Sequence, residues 1–238
     1  MVNVLILGAT GPTGLALIEE AVVRNHTVIV FARSPQKLPE KYTQNPSIFV
    51  VKGSLENESD IRWAFQVQAP GRTESENENK KFDFLKIDVI VSALGPPVKK
   101  IHPSGHPIAK GYENVIKVAK EFEVKRFIVL GTPSITDEHD KFDARFKALI
   151  IGVEIFAPHA YEDIVEIGKV FEKEAQLDWT IARIPVLVEH EDGKYGAGYI
   201  GDGTASPVLT RSLFAKFVFD EADASSWIRK RPLVSWVN

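Results

Sequence analysis

Three glycines spaced three residues apart, Gly8, Gly11 and Gly14, stand in the stretch ILGATGPTG. Glycine weakens strands and helices, so such a cluster needs a reason. A backbone stripped of side chains lets an anion approach main-chain N–H groups, and phosphate is the anion such loops hold. The surroundings favour a ligand over a bare glycine-rich turn. Val2 to Leu7 form a short apolar run that reads as a buried parallel strand. After Gly14, the residues Leu15, Leu17, Ile18, Ala21 and Val22 recur at helical spacing, and Val28 to Phe31 form a second apolar run. Glycines placed where a strand turns into a helix, within a strand–helix–strand unit, are the fingerprint of a dinucleotide site. In that reading Gly8 allows the tight turn, Gly11 lets a pyrophosphate reach the backbone, and Gly14 lets the helix pack on the sheet. Pro12 suits the first helical turn, where no N–H is required. Thr10 and Thr13 complete the expected phosphate loop.

The end of the second strand selects the dinucleotide. An acidic residue there would hold the ribose hydroxyls of NAD. The sequence instead reads Val30-Phe31-Ala32-Arg33-Ser34, with Lys37 close behind. A guanidinium forks well onto a phosphate, so Arg33, helped by Ser34 and Lys37, predicts NADP as the cofactor. The alternative is that Arg33 is simply a solvated surface cation.

These residues need a frame to position them. The chain has 238 residues, is 44% hydrophobic and carries a net charge of −3, which fits one soluble domain over residues 1–238. The charge balance gives no reason to expect nucleic acid, and the Arg229-Lys230-Arg231 cluster is too short to change that. With no cysteine, disulfides and thiol chemistry are excluded and the cytosol is the expected compartment. The apolar N-terminus is broken by Gly8 and lacks a basic flank, so neither a signal peptide nor a membrane span is expected. Further apolar runs at 48–51, 87–92, 125–130 and 178–183 predict four more strands. Helices are expected over 59–67, along a face of Ile108, Tyr112, Val115, Ala119 and Phe122, over 161–174 and over 211–219. Tyr112 reads as core, although it could reach outward. Residues 131–160 read as a long connecting segment, 189–203 as a glycine-rich loop or hairpin, and 232–236 as a last strand. Residues 69–81, polar and without periodicity, predict a mobile insertion away from the ligand crevice. Strands alternating with helices imply an α/β, Rossmann-type doubly wound parallel sheet of order 3-2-1-4-5-6. The ligand crevice of such a sheet lies at the strands' C-terminal ends. Residues 185–238 are expected to form a small substrate-side region.

The segments GATGPTG, ARSPQKL, VKGSLEN, DVIVSALG, VKRFIVLGT and LDWTIAR, in that order, resemble the atypical short-chain dehydrogenase/reductases. Among these the chain is most similar to NmrA-like and NAD(P)H-binding, flavin reductase-like members. The resemblance covers residues 2 to 188, and the ending SSWIRKRPLVSWVN resembles short fungal members. It implies that Gly53, Ser54 and Leu55, with Ala93, Leu94 and Gly95, line the adenine and nicotinamide ribose. Ser54 replaces the aspartate common there. Many relatives use a Ser or Thr after the fifth strand and a Tyr-x-x-x-Lys on the next helix. The resemblance places Thr132 and Tyr161 on those positions, with the tyrosine hydroxyl protonating the carbonyl. Val165 stands where the lysine should be. A phenol near its ordinary pKa of about 10 is a poor acid–base group without a cation beside it.

Other side chains offer alternatives. His159 could shuttle protons, or be a capping or buried histidine. Lys169 lies two turns beyond Tyr161, too far to replace the lysine directly. Asp163 could be a general base or decorate a helix's first turn. His102 and His106 lie in a loop that could cover the nicotinamide or be purely structural. No pair has the spacing of a helix-borne metal motif, so no metal is expected. Phe142, Phe146, Phe156, Tyr195 and Tyr199 could roof a planar apolar substrate, or be core. Three functions remain open. The first is a reductase moving hydride from NADPH to a small carbonyl, quinone, flavin or enone/imine. The second is a redox-neutral secondary-metabolite enzyme, a cyclase or rearrangement catalyst. The third is a non-catalytic NmrA-like dinucleotide sensor that binds a protein partner. The partner expected for the enzyme is a small-molecule substrate, with neither nucleic acid nor membrane; a homodimer is compatible with it.

Overall fold

The strand–helix alternation closes into one main sheet in the computed structural model, which describes residues 1–68, 84–96, 101–189 and 193–237. In chain order the elements are β1 (Asn3–Leu7), α1 (Pro12–Val23), β2 (Thr27–Ala32), the short α2 (Glu40–Thr43), β3 (Ile48–Lys52), α3 (Glu58–Phe65) and β4 (Val89–Ser92). There follow α4 (Pro107–Glu121), β5 (Arg126–Gly131), α5 (Ala144–Phe156), α6 (Pro158–Glu172) and β6 (Asp178–Arg183). The remainder comprises β7 (Val186–Val188), β8 (Lys194–Gly198), β9 (Val208–Thr210), α7 (Arg211–Ala224) and β10 (Leu233–Val237). The sheet order is β3-β2-β1-β4-β5-β6-β10-β8, so the expected doubly wound order is present and two strands extend it. Every pairing in it is parallel except β10 with β8. The strands β7 and β9 form a separate two-stranded parallel pair.

Alternation along the strands splits the interior in two. Val4 and Ile6 of β1, with Val28 and Val30 of β2, face a core closed by α1 and α7. Leu5 and Leu7, with Ile29 and Phe31, face the opposite core beneath α3, α4 and α6. A strand buried on both faces must be apolar throughout, which is why β1 reads as a continuous run. Tyr112 belongs to the second core, fully buried, and its O–H donates to Ser92 Oγ at 2.6 Å; it does not reach outward. Burial pushes its phenol well above the ordinary range.

Beyond the short α2 and the β7–β9 pair, neither of which was expected, three longer parts of the chain depart from the sequence expectation. Residues 131–160 contain a full helix, α5, capped by Asp143 accepting from the Arg145 N–H at 2.9 Å. Its sequence is apolar on more than one face, so no single stripe announces it. The segment expected to be a glycine-rich loop or hairpin supplies β8, whose partner is the distant β10, from Leu233 opposite Gly198 to Val237 opposite Lys194. The last helix runs on to Ala224 rather than ending near Phe219. The expected insertion at 69–81 lies outside the described residues; Gln68 and Phe84 on either side of it pair as an antiparallel bridge. Among the described residues no helix is long and apolar enough to cross a membrane.

Two contacts hold this frame in register. At the start of α1, a Cβ added to Gly14 would stand 2.3 Å from Gly8 O and 2.5 Å from Ala9 Cα. The helix therefore seats on the β1 turn at a distance only glycine permits. At the other end, α7 is tied to the sheet by a buried ion pair. Arg126 Nη2 donates to Glu221 Oε1 at 2.7 Å, and Nη1 donates to Asp178 O and Thr180 Oγ1, both at 2.8 Å. Glu221 also accepts from the Ser226 and Trp227 N–H groups, which ends the helix.

Both contacts make predictions. Removing one partner of a buried pair leaves the other charge uncompensated. Glu221→Gln is expected to lower the unfolding free energy by roughly 3 kcal/mol in urea denaturation; an unchanged midpoint would contradict the role given to this pair. Gly14→Ala must displace α1 from the turn, and overpacking of this kind costs about 1–3 kcal/mol. A thermal melt of Gly14→Ala matching that of the parent protein would show that the helix has room after all.

Candidate functional site

The C-terminal ends of β1 and β2 build an anion cradle. The backbone turns at Gly8 with φ +74°. Gly11 then caps α1 without any side-chain hydrogen bond to the first turn, and Pro12 occupies the start of the helix. A Cβ on Gly11 would meet nothing closer than Gly8 O at 3.7 Å, so the space beside it is open. The first-turn N–H groups of α1 therefore have no side-chain cap, and the helix dipole adds to their pull on an anion. Thr10 and Thr13 flank this turn.

Beside the cradle lies a cavity of about 290 Å³, lined by Gly8, Thr10, Arg33, Ser34, Lys37, Leu55 and Leu94 among others. Its lining has two cations and no carboxylate. Arg33 is exposed and makes no ion pair among the described residues, nor does Lys37, which ends the 3₁₀ turn Pro35–Lys37. A cradle of backbone N–H groups beside two unpaired cations is the donor set of a dinucleotide phosphate site. Gly53 and Ser54 are not among the residues that line this cavity. A Cβ on Gly53 would strike the Phe31 ring at 2.5 Å, and the Ser54 N–H is held by Asp60 Oδ2 at 2.9 Å. Ala93 continues the sheet by donating to Leu7 O at 3.0 Å, and Gly95 follows it, exposed.

A larger cavity of about 780 Å³ opens at the ends of β4, β5 and β6. Pro96, Thr132, Pro133, Ser134, Ile184 and Pro185 form its floor. Leu149, Ile150, Val153 and Phe156 of α5 cover it, and Pro158, His159, Ala160 and Ile164 of α6 close one side. The lining is mostly apolar, with the Thr132 and Ser134 hydroxyls, His102 and His159 as its polar points. Of the five aromatic residues considered for the roof, Phe156 alone lines the cavity. Phe146 is buried in a separate cluster with Ile200, Ala205 and Leu233. Phe142 is 83% exposed, Tyr195 donates to Asp220 Oδ2 at 2.6 Å, and Tyr199 stacks on His139 at 4.7 Å. Of the C-terminal region, Pro185 and Val186 reach the cavity, while β8 and β10 extend the sheet and α7 packs on α1.

The expected proton-transfer residues separate. Thr132 is in the wall, its Oγ1 accepting from the Ser134 N–H at 3.3 Å. His159 is in the wall and exposed, 3.4 Å from Glu162. Tyr161 follows Ala160 on α6, half-buried, and is not among the lining residues. Val165 is half-buried one turn on, and Lys169 pairs with Glu166 at 2.9 Å. His106 caps α4 in a left-handed conformation and does not line the cavity. His102 does line it, and its Nε2 lies 2.6 Å from the buried Asp163 Oδ2.

Ser134, which lines the cavity, and Arg183, next to the lining Ile184, were given no role on sequence grounds. Arg183, the last residue of LDWTIAR, is fully buried. Its Nη1 donates to Ile135 O at 2.9 Å and Asp140 Oδ2 at 2.6 Å, and its Nη2 to Asp140 Oδ1 at 2.8 Å. This fork holds the loop between β5 and α5 over the end of β6. Nearby, burial works to raise Asp137, but the N–H and ring of His139 and the charges of Arg183 and Arg231 outweigh it, so its carboxyl sits below the usual range. An arginine ending a buried strand was the one available signal, since such a charge must find a partner.

Comparison with known proteins agrees with this fold. A short-chain dehydrogenase/reductase (wide type) from Veillonella parvula, solved in complex with NADP, superposes with a TM-score of 0.75 at 14% identity, over 98% of this chain and 94% of that one. The oxidoreductase ylbE from Lactococcus lactis gives 0.69 at 20% identity, over 98% and 90%. A Rossmann-fold NAD(P)-binding family protein from Shigella flexneri gives 0.67 at 18% identity, over 99% and 94%. At such identities the likeness is one of fold. A search of curated proteins gives no match. The family model described as NAD(P)H-binding matches residues 8–225, from the first glycine of the cradle to the end of α7, and the chain belongs to that NAD(P)H-binding family.

Proposed function

We propose that the protein is an NADP(H)-dependent reductase of a small, planar, apolar carbonyl, quinone, flavin or enone/imine. The observation that carries this reading is the mostly apolar 780 Å³ cavity at the ends of β4–β6, on the same sheet edge as the glycine cradle. A reduced nicotinamide, when bound, supplies the hydride. The first-turn N–H groups of α1 hold the pyrophosphate, and the open face of Gly11 gives it room. Arg33 grips the ribose 2′-phosphate, with Lys37 and Ser34 beside it. The V. parvula relative solved with NADP supports that choice. Leu149, Ile150, Val153 and Phe156 accept a flat apolar ring and keep water from the reacting atoms, while the Thr132 and Ser134 hydroxyls orient a polar end.

Two measurements test this. Binding followed by nicotinamide fluorescence is expected to favour NADPH over NADH. Arg33→Ala is expected to weaken NADPH about tenfold or more, the worth of a charged hydrogen bond, and to leave NADH nearly unchanged. Equal affinities of the parent protein for the two would remove Arg33 from the role. Loss of NADPH absorbance with an aromatic aldehyde, a quinone, a free flavin and an enone is expected for at least one of the four. Tight NADPH binding with no oxidation by any of them would overturn the reductase reading in favour of a sensor or a redox-neutral enzyme.

A further inference from the structure

The helix α5 carries two apolar faces. Leu149, Ile150, Val153 and Phe156 line the larger cavity. At about 100° per residue, Ala144, Ala148, Ile151 and Ile155 form a stripe on the opposite side. All four are exposed. A surface helix ordinarily turns polar residues to solvent, and a helix apolar all round is a buried one. Among the described residues ten large apolar side chains are exposed, and four of them, Ile151, Val153, Ile155 and Phe156, lie within the 13 residues of α5. Phe142, also exposed, stands just ahead of it. Scattered residues of this kind need no explanation, but a cluster marks a surface that something covers. The element on which α5 packs is α6, and that contact leaves the stripe open.

The charges bordering the stripe select its occupant. Arg145 is already paired with Asp143, its Nη2 donating to Oδ2 at 2.7 Å. Lys147 and Glu154 are exposed and make no ion pair among the described residues. Seven residues apart, they lie two turns from one another on the same border of the stripe, too far along the helix to pair with each other. Such a border is self-complementary. Turned end for end about a twofold axis between Ile150 and Ile151, it sets each lysine opposite a glutamate. The other border carries Gly152, where an added Cβ would meet no atom within 4 Å. Glycine inside a helix weakens it; here its bare backbone, with Ala144 and Ala148, gives a second helix room to come close. A bilayer fits less well, because a helix lying on a membrane surface is rich in lysine and arginine along its polar face. This border has one base and one acid.

We infer that α5 is a self-association surface and that its occupant is a second copy of this chain, the two α5 helices packed antiparallel through Ala144, Ala148, Ile151 and Ile155. Lys147 of each copy faces Glu154 of the other, so the pair is made twice. Ile151 meets its counterpart beside the axis. Ile155 rests on Ala148 and on the methylene stem of Lys147. The antiparallel arrangement brings Phe142 of one copy level with His159 of the other, which lengthens the contact at both ends. The pairing also backs the cover of the larger cavity from outside, where α5 itself buries only Phe146. The dimer requires nothing of the cofactor or of the reaction.

Sedimentation equilibrium of the full chain is expected to show a dimer. A monomer persisting at about 100 µM, above the micromolar to picomolar range of specific interfaces, overturns the inference. Ile151→Glu sets two carboxylates beside the axis and is expected to give a monomer. Lys147→Glu and Glu154→Lys each place like charges opposite one another, and each is expected to raise the dimer dissociation constant about tenfold, while the double substitution returns it to within about threefold. Such a rescue requires the two residues to meet across copies. A dimer indifferent to Ile151→Glu, or a double substitution that rescues nothing, overturns the inference. Because the chain has no cysteine, introduced thiols report the geometry. Ile151→Cys is expected to oxidise to a covalent dimer, whereas Ala144→Cys, also exposed but about 20 Å from its counterpart, is not; the reverse result overturns the antiparallel pairing. Should Ile151→Glu fail to fold, the charge reversals and the two cysteine variants decide. Monomeric protein that floats with anionic phospholipid vesicles assigns the face to lipid and overturns the inference as well.

Discussion

A guanidinium with no surface of its own sits at the end of β6, and the crevice is built around that fact. Burying an isolated charge costs far more than a single hydrogen bond returns, so Arg183 must be met from within the protein. Asp140 meets it with both carboxylate oxygens, and Ile135 with its carbonyl. The same Asp140 Oδ1 accepts from Ile200 N–H at 3.1 Å, while Lys141 N–H donates to Ile200 O at 2.8 Å. One buried charge therefore gathers the end of the sheet, the β5–α5 loop and the turn after β8. The floor at Thr132 and Ser134 and the start of α5 are fixed from opposite ends of that loop.

The two cavities differ in what holds them. Beside the smaller one, the anion cradle is set by backbone: a left-handed glycine, a helix seated at glycine distance and a cap with no side chain, while Arg33 and Lys37 line the cavity itself. Such a cradle is rigid because no rotamer enters it. The larger one is set by side chains on two helices with unequal footing. Seven residues of α6 are buried, while in α5 only Phe146 is. The wall carrying Ala160 and Ile164 is thus part of the core, and the cover carrying Val153 and Phe156 rests upon it.

Much of this was readable from the chain because it is local. The glycine spacing, the apolar run before it and the helical run after it lie within some twenty residues, and the sheet order follows from handedness once strands and helices alternate. Arg33 could be placed because strand ends are themselves local features. What escaped is long-range. His102 meets Asp163 across 61 positions, and Arg183 meets Asp140 across 43. No periodicity records such pairings. The helix α5 escaped for another reason: its LIIGVEIF stretch is apolar both toward the cavity and away from it, with Ile155 and Phe156 exposed, so it lacks the one-sided stripe that marks a helix packed on a core. The aromatic residues misled in the same way, since a ring's type does not say which cavity, if any, it faces.

The position of β10 bears on how the molecule reaches this state. β8 is made before β10, yet its place in the sheet exists only once β10 lies between it and β6. The strand β10 itself meets β6 in one parallel register pair, Leu233 with Arg183, continued before the strand by the Thr180–Lys230 bridge, whereas β8 and β10 share five pairs. Residues 194–198 must therefore wait, with their strand edge unpaired, while some thirty-five further residues are synthesised. Pairing across such a separation carries a loop-closure cost before any contact repays it, and exposed edges are where newly made chains associate wrongly. The interval between the synthesis of those two strands is therefore the one in which this edge has no partner in the sheet.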